Sequence, residues 1–209
     1  MHMADYRLKR PLDLALVVVS APLWLPVLAI LAVIVRMGMG RGVLFRQQRL
    51  GVHERPFEIL KFRTMLAKMV QDGRVLSDVE RLTSFGHFLR ASSLDELPEL
   101  FNVLRGEMSL VGPRPLLPRY LERYSVHHRR RHEARPGMTG LAQVSGRNAL
   151  SWDDRLDLDV AYVDSCSLSG DLRILVQTGL AVLGRRGISA PGDATMQEFT
   201  GSRPRTDAR

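Results

Sequence analysis

Residues 14–35 read LALVVVSAPLWLPVLAILAVIV, twenty-two positions without a charge. Nothing else in the chain restricts its folding so strongly. As a straight helix the run is about 33 Å long, enough to cross a hydrocarbon core. It is too long for the apolar region of a signal peptide, and no small-residue cleavage site follows it. A buried helix of a soluble domain is the competing reading, and membrane insertion is favoured. Pro22 and Pro26 stand in the middle of the run, and each removes a backbone hydrogen bond and kinks a helix. The flanks are basic on both sides, with Arg7, Lys9 and Arg10 before and Arg36, Arg41, Arg46 and Arg49 after. A spanning helix shows charge asymmetry. Symmetric flanks around a central break point instead to a re-entrant segment that bends at Pro22 and Pro26 and returns to the cytosolic face. A proline-kinked spanning helix stays open as the alternative.

The 209-residue chain is long enough for one domain with a real core. Thirty Lys and Arg against 22 Asp and Glu give a net charge of +8, so its partners are anionic: phosphates, acidic lipid or nucleic acid. The single cysteine, Cys166, excludes an internal disulfide and a Cys-rich metal site. The run HHRRRH (127–132) carries no nucleic-acid recognition motif and no interleaved stacking aromatics. A face against anionic lipid, or a plain solvated face, is the reading adopted. No histidine has metal-ligand spacing, and His127 and His128 are merely adjacent, so no zinc is assigned.

The apolar periodicity predicts a β-hairpin over 43–63 and helices over 65–72, 78–90 and 94–105. A basic amphipathic helix over 116–134, a Gly-rich loop over 135–148 and helices over 151–165 (N-cap Ser151) and 171–187 follow. The fold class is therefore mainly α with a small β-hairpin (α+β). The expected organisation is an anchor over 1–40, a cytosolic or interfacial domain over 41–201 and a loose polar tail over 202–209.

One stretch, SSLDELPELFNVLRGEMSLVGPRP (92–115), carries chemistry. Ser93 and Glu96 have capping-box spacing. Yet Pro98 fits best as the first helical residue, with Leu97 extended before it. Asp95 and Glu96 then lead into a helix whose apolar stripe is Leu97, Leu100, Phe101 and Leu104. Free N–H groups at such an entrance can help to hold phosphate.

Taken in order, the anchor, KFRTM (61–65), LTSFGHFLRASSLDELPELFNVLRGEMSLVGPRP (82–115), RPGMTGLAQVSGRN (135–148) and the helix containing Asp159 and Ala161-Tyr162-Val163 resemble the small monotopic phosphoglycosyl transferases, the bacterial sugar transferases. The resemblance runs from Lys9 to about Gly201. It implies a re-entrant membrane helix and amphipathic interfacial helices on a compact cytosolic catalytic domain at the bacterial inner membrane. The implied reaction moves a sugar 1-phosphate from a UDP-sugar to polyprenyl phosphate and releases UMP, through a phosphosugar ester on Asp95. Glu96 is implied as the second acid, with Asp95 and Glu96 holding Mg²⁺. Lys61, Arg90, Arg114 between Pro113 and Pro115 (where a cis bond is admissible), Arg147 and Asp159 are implied around the substrate phosphates. Where many relatives carry Ser-Pro at the anchor bend, this chain has Leu25-Pro26. Residues 187–201 resemble the matching stretch of relatives that act on N-acetylated amino sugars. A membrane-anchored basic scaffold or nucleic-acid-binding protein is the alternative from another class. Such a protein needs neither buried acids nor a proline-bracketed arginine.

Overall fold

The uncharged run does not form a straight rod. The computed structural model, which describes residues 5–67, 70–71, 74–146, 150–184 and 198–201, divides it at Ser20 into α1 (Lys9–Val19) and α2 (Ala21–Met39). Pro22 sits in the first turn of α2, where its missing N–H costs nothing. Carbonyls at the end of α1 are taken up by side chains. Ser20 Oγ donates to Leu16 O at 2.6 Å, and Trp24 Nε1 donates to Val17 O at 2.9 Å. Residues seven apart in a straight helix are separated by about 10.5 Å along the axis, so the Trp24 bond closes a bend. Pro26 lies inside α2. The break thus falls at Ser20–Pro22, and Ser20 supplies the hydroxyl that Leu25 lacks. By length and composition α2 can cross a membrane on its own, with 19 residues and a mean hydropathy of 2.0.

The expected hairpin is formed by β1 (Leu44–Leu50) and β2 (Pro56–Phe62), antiparallel, with Leu44 opposite Phe62 and Phe45 opposite Lys61. Because side chains alternate along a strand, β2 serves two layers. Ile59 joins Val17 and Trp24 of the anchor and Leu100, Val103 and Met108 in one apolar cluster. Phe62 joins Leu31, Val35 and Met39 of α2 and Leu89 in another. Lys61 shares the face of Ile59, and that face meets the helix carrying the acids.

Several expectations need correction. Within 65–72 the described residues contain no helix. Val70–Gln71 (β3) pairs antiparallel with Arg74–Val75 (β4), and the Asp72-Gly73 between them in the sequence is a hairpin signal. The helix expected over 78–90 is two, α3 (Asp78–Arg81) and α4 (Ser84–Ala91). Ser77 and Glu80 form a capping box on the first, and Thr83 starts the second by accepting from Gly86 N. After α5 (Glu99–Arg105) the chain turns at Gly106 (φ 84°) into β5 (Ser109–Val111). β5 pairs in parallel with β6 (Gly137–Thr139), inside the stretch expected to be loop, and α7 (Leu141–Ser145) follows. A Cβ on Gly137 would sit 2.1 Å from Gly112 N, so only glycine allows this approach.

The basic run is not one amphipathic helix. It breaks into a 3₁₀ turn over Pro118–Arg123, α6 (Val126–Arg129) and a 3₁₀ turn over Arg130–Glu133. Only part of 127–132 faces outward: Arg129 is exposed and His127 and Arg130 partly so, whereas the other three residues turn inward. His128, Arg131 and His132 are buried; Arg129 grips Glu54 through two bonds of 2.9 and 2.8 Å, Arg130 pairs with Asp164 and Arg131 with Asp159. Both aspartates belong to α8 (Trp152–Ser165), capped by Ser151 as expected. The last helix among the described residues, α9 (Leu168–Leu183), starts three residues before Asp171, capped by Ser167, and stops at Gly184. Beyond it Phe199 is buried against Tyr120, Tyr124 and Trp152. The tail over 202–209 and most of 187–201 lie outside the described residues.

The flank before the anchor is built into the body. Lys9, 1 % exposed, donates to Asp171 Oδ2 at 2.6 Å and to Val111 O at 2.9 Å. Arg10 donates to the carbonyls of Val103 and Leu104 at the C-terminal end of α5, where a cation suits the helix dipole. Asp13 accepts from Leu110 N, and Asp5 pairs with Arg135 at 2.6 Å. Lys9 and Arg10 are therefore docking groups, and not a solvated charge flank.

Candidate active site

Asp95 and Glu96 lie on a turn fixed from both ends. At the end of α4 the Ser92 hydroxyl returns to Phe88 O at 2.8 Å. Ser93 then reverses the chain in a left-handed conformation, φ 57°, uncommon for a residue other than glycine. A 3₁₀ turn over Leu94–Glu96 follows. The Ser93 side chain caps nothing, so the capping-box spacing is not used. Leu97 is helical (φ −54°, ψ −37°) and not extended, because the turn runs on through Pro98, the N-cap of α5. At that position Pro98 forfeits no helical bond.

Glu96 is the hub. Its Oε1 accepts from Lys61 Nζ of β2 at 2.5 Å and from Arg114 Nη2 at 2.8 Å. Lys61 Nζ lies 3.1 Å from Glu99 Oε1, one helical turn on. The position of Lys61 is secured by Asn102, which accepts from Leu60 N at 3.0 Å and donates to Glu58 O at 2.7 Å, tying α5 to β2. Burial alone would raise the pKa of Glu96, but Arg114 and Lys61 overcome it and hold it at about 2. Asp95, 9 % exposed, is pushed up to about 6 by burial and then by the charge of Glu96, with Lys61, Arg114 and Arg90 pulling the other way. Burial likewise pushes Glu99 up to about 7 against the pull of Lys61. Two neighbouring acids are thus poised differently, one firmly anionic and one reluctant to ionise.

Among the described residues no hydrogen bond is made to the Asp95 carboxylate. Both cations on Glu96 lie on Oε1. Asp95 and Oε2 of Glu96 together offer hard oxygen donors, the set that suits Mg²⁺.

Arg114 is half-exposed, with 49 % of its side chain accessible. Its backbone is held more firmly: Arg131 Nη2 donates to Arg114 O at 2.6 Å. Arg131 in turn is locked on Asp159 Oδ2 by bonds of 3.1 and 2.6 Å, a pair 2 % and 5 % exposed. Asp159 therefore does not touch the dyad; it holds Arg131, which positions the Pro113-Arg114-Pro115 segment. No described peptide bond is cis, so both prolines of that segment are trans. Arg90 donates to Thr64 Oγ1 at 3.0 Å, and its charge reaches Asp95. Arg147 lies outside the described residues.

Sequence reasoning missed Glu99 and Arg131. Glu99 had a signal, an acid one turn beyond the dyad at the start of an apolar helix. Arg131 had none, since in a run of six basic residues every position looks equally solvated.

Comparison with known proteins shows the family. A family model described as bacterial sugar transferase matches residues 4–185. An uncharacterized sugar transferase of Bacillus subtilis is 49 % identical over 169 residues, covering 81 % of this chain and 84 % of its own. A UDP-glucose:undecaprenyl-phosphate glucose-1-phosphate transferase of Caulobacter vibrioides is 40 % identical over 81 % of this chain and 67 % of its own. The UDP-galactose-lipid carrier transferase of Erwinia amylovora is 42 % identical over 86 % of this chain, which spans only 41 % of that protein. With the match to the family model extending over most of its length, from before the anchor through α9, the chain belongs to the bacterial sugar transferases.

Proposed function

We propose that the protein transfers a sugar 1-phosphate from a UDP-sugar to polyprenyl phosphate, releasing UMP, with Asp95 as the covalent nucleophile. The observation that carries this reading is the unequal pair: Asp95 buried and without a hydrogen bond among the described residues, beside a Glu96 already neutralised by Lys61 and Arg114. A carboxylate of Asp95 attacks the sugar-bearing phosphorus, and the bond from that phosphorus to the bridging oxygen breaks, so UMP leaves with the oxygen. A phosphate oxygen of the polyprenyl acceptor then attacks the same phosphorus and restores the free carboxylate. Splitting one phosphoryl transfer in two requires no proton to be removed from the nucleophile. Asp95 and Glu96 are the residues that would hold Mg²⁺, which supplies charge neutralisation between two carboxylates and a diphosphate. Lys61 and Arg114 are the cations able to turn toward phosphate, with Arg90 behind them.

The membrane placement rests on packing. The start of α1 is docked through Lys9 and Arg10 and the end of α2 through Val35 and Met39, all on the body that carries the site. Between them Val19, Leu23, Ile30, Val33 and Met37 point outward. A second outward apolar row, Leu168, Leu172, Val176 and Leu180, repeats every fourth residue of α9. These faces suit a re-entrant α1–α2 with an interfacial α9, at the cytosolic face of the inner membrane. The likeness of residues 187–201 favours an N-acetylated amino sugar, whereas two of the named relatives carry UDP-galactose and UDP-glucose in their names. A panel of UDP-sugars read by UMP release decides between them. The scaffold alternative is weakened because Arg129, Arg130 and Arg131 of the basic run are each already paired with an acid of the same chain.

The test uses UDP-sugar and Mg²⁺ without acceptor. A phosphosugar mass is expected on the peptide containing Asp95, and UMP release is expected to stop in excess chelator. Wild-type turnover by Asp95→Asn overturns the assignment.

A further inference from the structure

We infer that His127, His128 and Asp157 form a binding site for a late first-row divalent cation such as Zn²⁺, separate from the acidic dyad. In sequence the two histidines are adjacent, without the spacing that marks a metal site, and in a regular helix neighbours point about 100° apart. The fold nevertheless brings both onto one oxygen. His127 Nε2 lies 3.2 Å and His128 Nε2 3.0 Å from Asp157 Oδ1, and the three ligand atoms are all within 4.8 Å of one another. With metal–ligand bonds of about 2.0–2.1 Å, two ligands of a tetrahedral zinc ion stand roughly 3.3 Å apart. Two edges of that figure are therefore already in place.

Donor chemistry and surroundings agree. Two imidazoles and a carboxylate suit Zn²⁺ or a neighbouring transition ion better than Mg²⁺. The side chains of His127 and Asp157 are 37 % and 45 % exposed and that of His128 is 8 % exposed, so one wall is fixed and solvent can complete the shell. Arg129, Arg130 and Arg131, which flank the histidines, are matched by Glu54, Asp164 and Asp159 respectively. Asp157 is left facing the imidazoles.

The consequence reaches Arg114. His128 and Arg131 are three residues apart on one side of an interface; Asp157 and Asp159 are two apart on α8. A metal ion at the first pair fastens α6 to α8 beside the Arg131–Asp159 pair that holds the Arg114 backbone.

The two imidazoles could instead be simple hydrogen-bond partners of one carboxylate, and a binding experiment separates the readings. Chelator-treated full-length protein in detergent, with Glu96→Gln to weaken the dyad's own affinity, is titrated with Zn²⁺ and compared with the same protein carrying His127→Ala or Asp157→Asn. Both added substitutions fall at partly exposed positions, and circular dichroism verifies the fold. One equivalent of Zn²⁺ and a raised melting temperature are expected in the parent. Loss of an outer-shell partner alone costs about 10- to 100-fold in affinity, so removing a ligand should weaken binding at least tenfold. Co²⁺ in place of Zn²⁺ should give visible absorption bands that both variants lose. Equal Zn²⁺ binding in parent and variants, or none in the parent, overturns the site.

Discussion

At the scale of single residues, the site separates two carboxylates that are neighbours in sequence. Glu96 is stabilised as an anion by Arg114 and Lys61, whereas Asp95 is an anion held against burial and against Glu96 itself. This makes a stability prediction with a definite sign. The folded pKa of Asp95 is raised to about 6 from an ordinary 3.8, so between those values the folded chain keeps a proton that the unfolded chain releases. Stability therefore falls as pH rises through that window, and the deficit is fully present above about pH 6. It amounts to at most about 3 kcal/mol. Asp95→Asn in metal-free protein should abolish transfer yet melt several degrees higher than wild type at pH 7.5, since 1 kcal/mol moves a domain of this size by about 2–4 °C. The gap should close toward pH 4, where Asp95 is neutral in the folded state and half-protonated in the unfolded one. A variant that melts lower than wild type at pH 7.5 contradicts the strained-anion account.

At the scale of elements, the attachment of α5 to β2 decides whether Lys61 meets Glu96. Asn102, fully buried, supplies both bonds that fasten the strand. Asn102→Leu keeps the volume and strands the buried Leu60 N–H, at about 1–3 kcal/mol, and removes the part-buried bond to the Glu58 carbonyl. A clear drop in melting temperature is expected, with kcat falling further than the stability loss accounts for because Lys61 shifts. Unchanged kcat would mean that Lys61 is placed by its own ion pairs. The contribution of Asn102 was not legible, since an asparagine inside LFNVLRG looks like a tolerated surface residue. What the sequence did reveal was local: the hairpin from its alternation, α8 from Ser151, and the place of Asp95 and Glu96 just ahead of α5. What stayed hidden was nonlocal or a matter of backbone. The parallel pairing of β5 with β6 joins segments that share no pattern. The left-handed Ser93 is coded by no special residue, and the proline that seemed to demand an extended Leu97 is absorbed by a 3₁₀ turn. The basic run misled because charge alone does not say whether an arginine faces water or an aspartate.

At the scale of the whole molecule, the question is whether the chain crosses the membrane once or not at all. The flanking-charge argument weakens, since Lys9 is buried on Asp171 and Arg10 caps α5. A packing argument replaces it. If α2 ran across the bilayer with α1 beyond it, Asp5, Lys9, Arg10 and Asp13 could not also contact Arg135, Asp171, the end of α5 and Leu110. Those contacts include a buried ion pair, and breaking one by separating its partners costs about 3–5 kcal/mol. Both ends of α1–α2 are therefore expected on the side of the bilayer that holds the site. The exposed Arg7 gives a direct probe. Arg7→Cys, with Cys166→Ser removing the native thiol, should resist an impermeant thiol reagent in intact spheroplasts and react promptly after lysis. Labelling before lysis, at the rate of a known external cysteine, would show that the segment spans. Asp171→Ala sharpens the test. It leaves Lys9 without its partner in a buried site and removes part of what holds α1 against the body. If docking decides the topology, this variant should shift a measurable fraction of the introduced thiol to external labelling; if the bend at Ser20–Pro22 alone decides it, the pattern should not move.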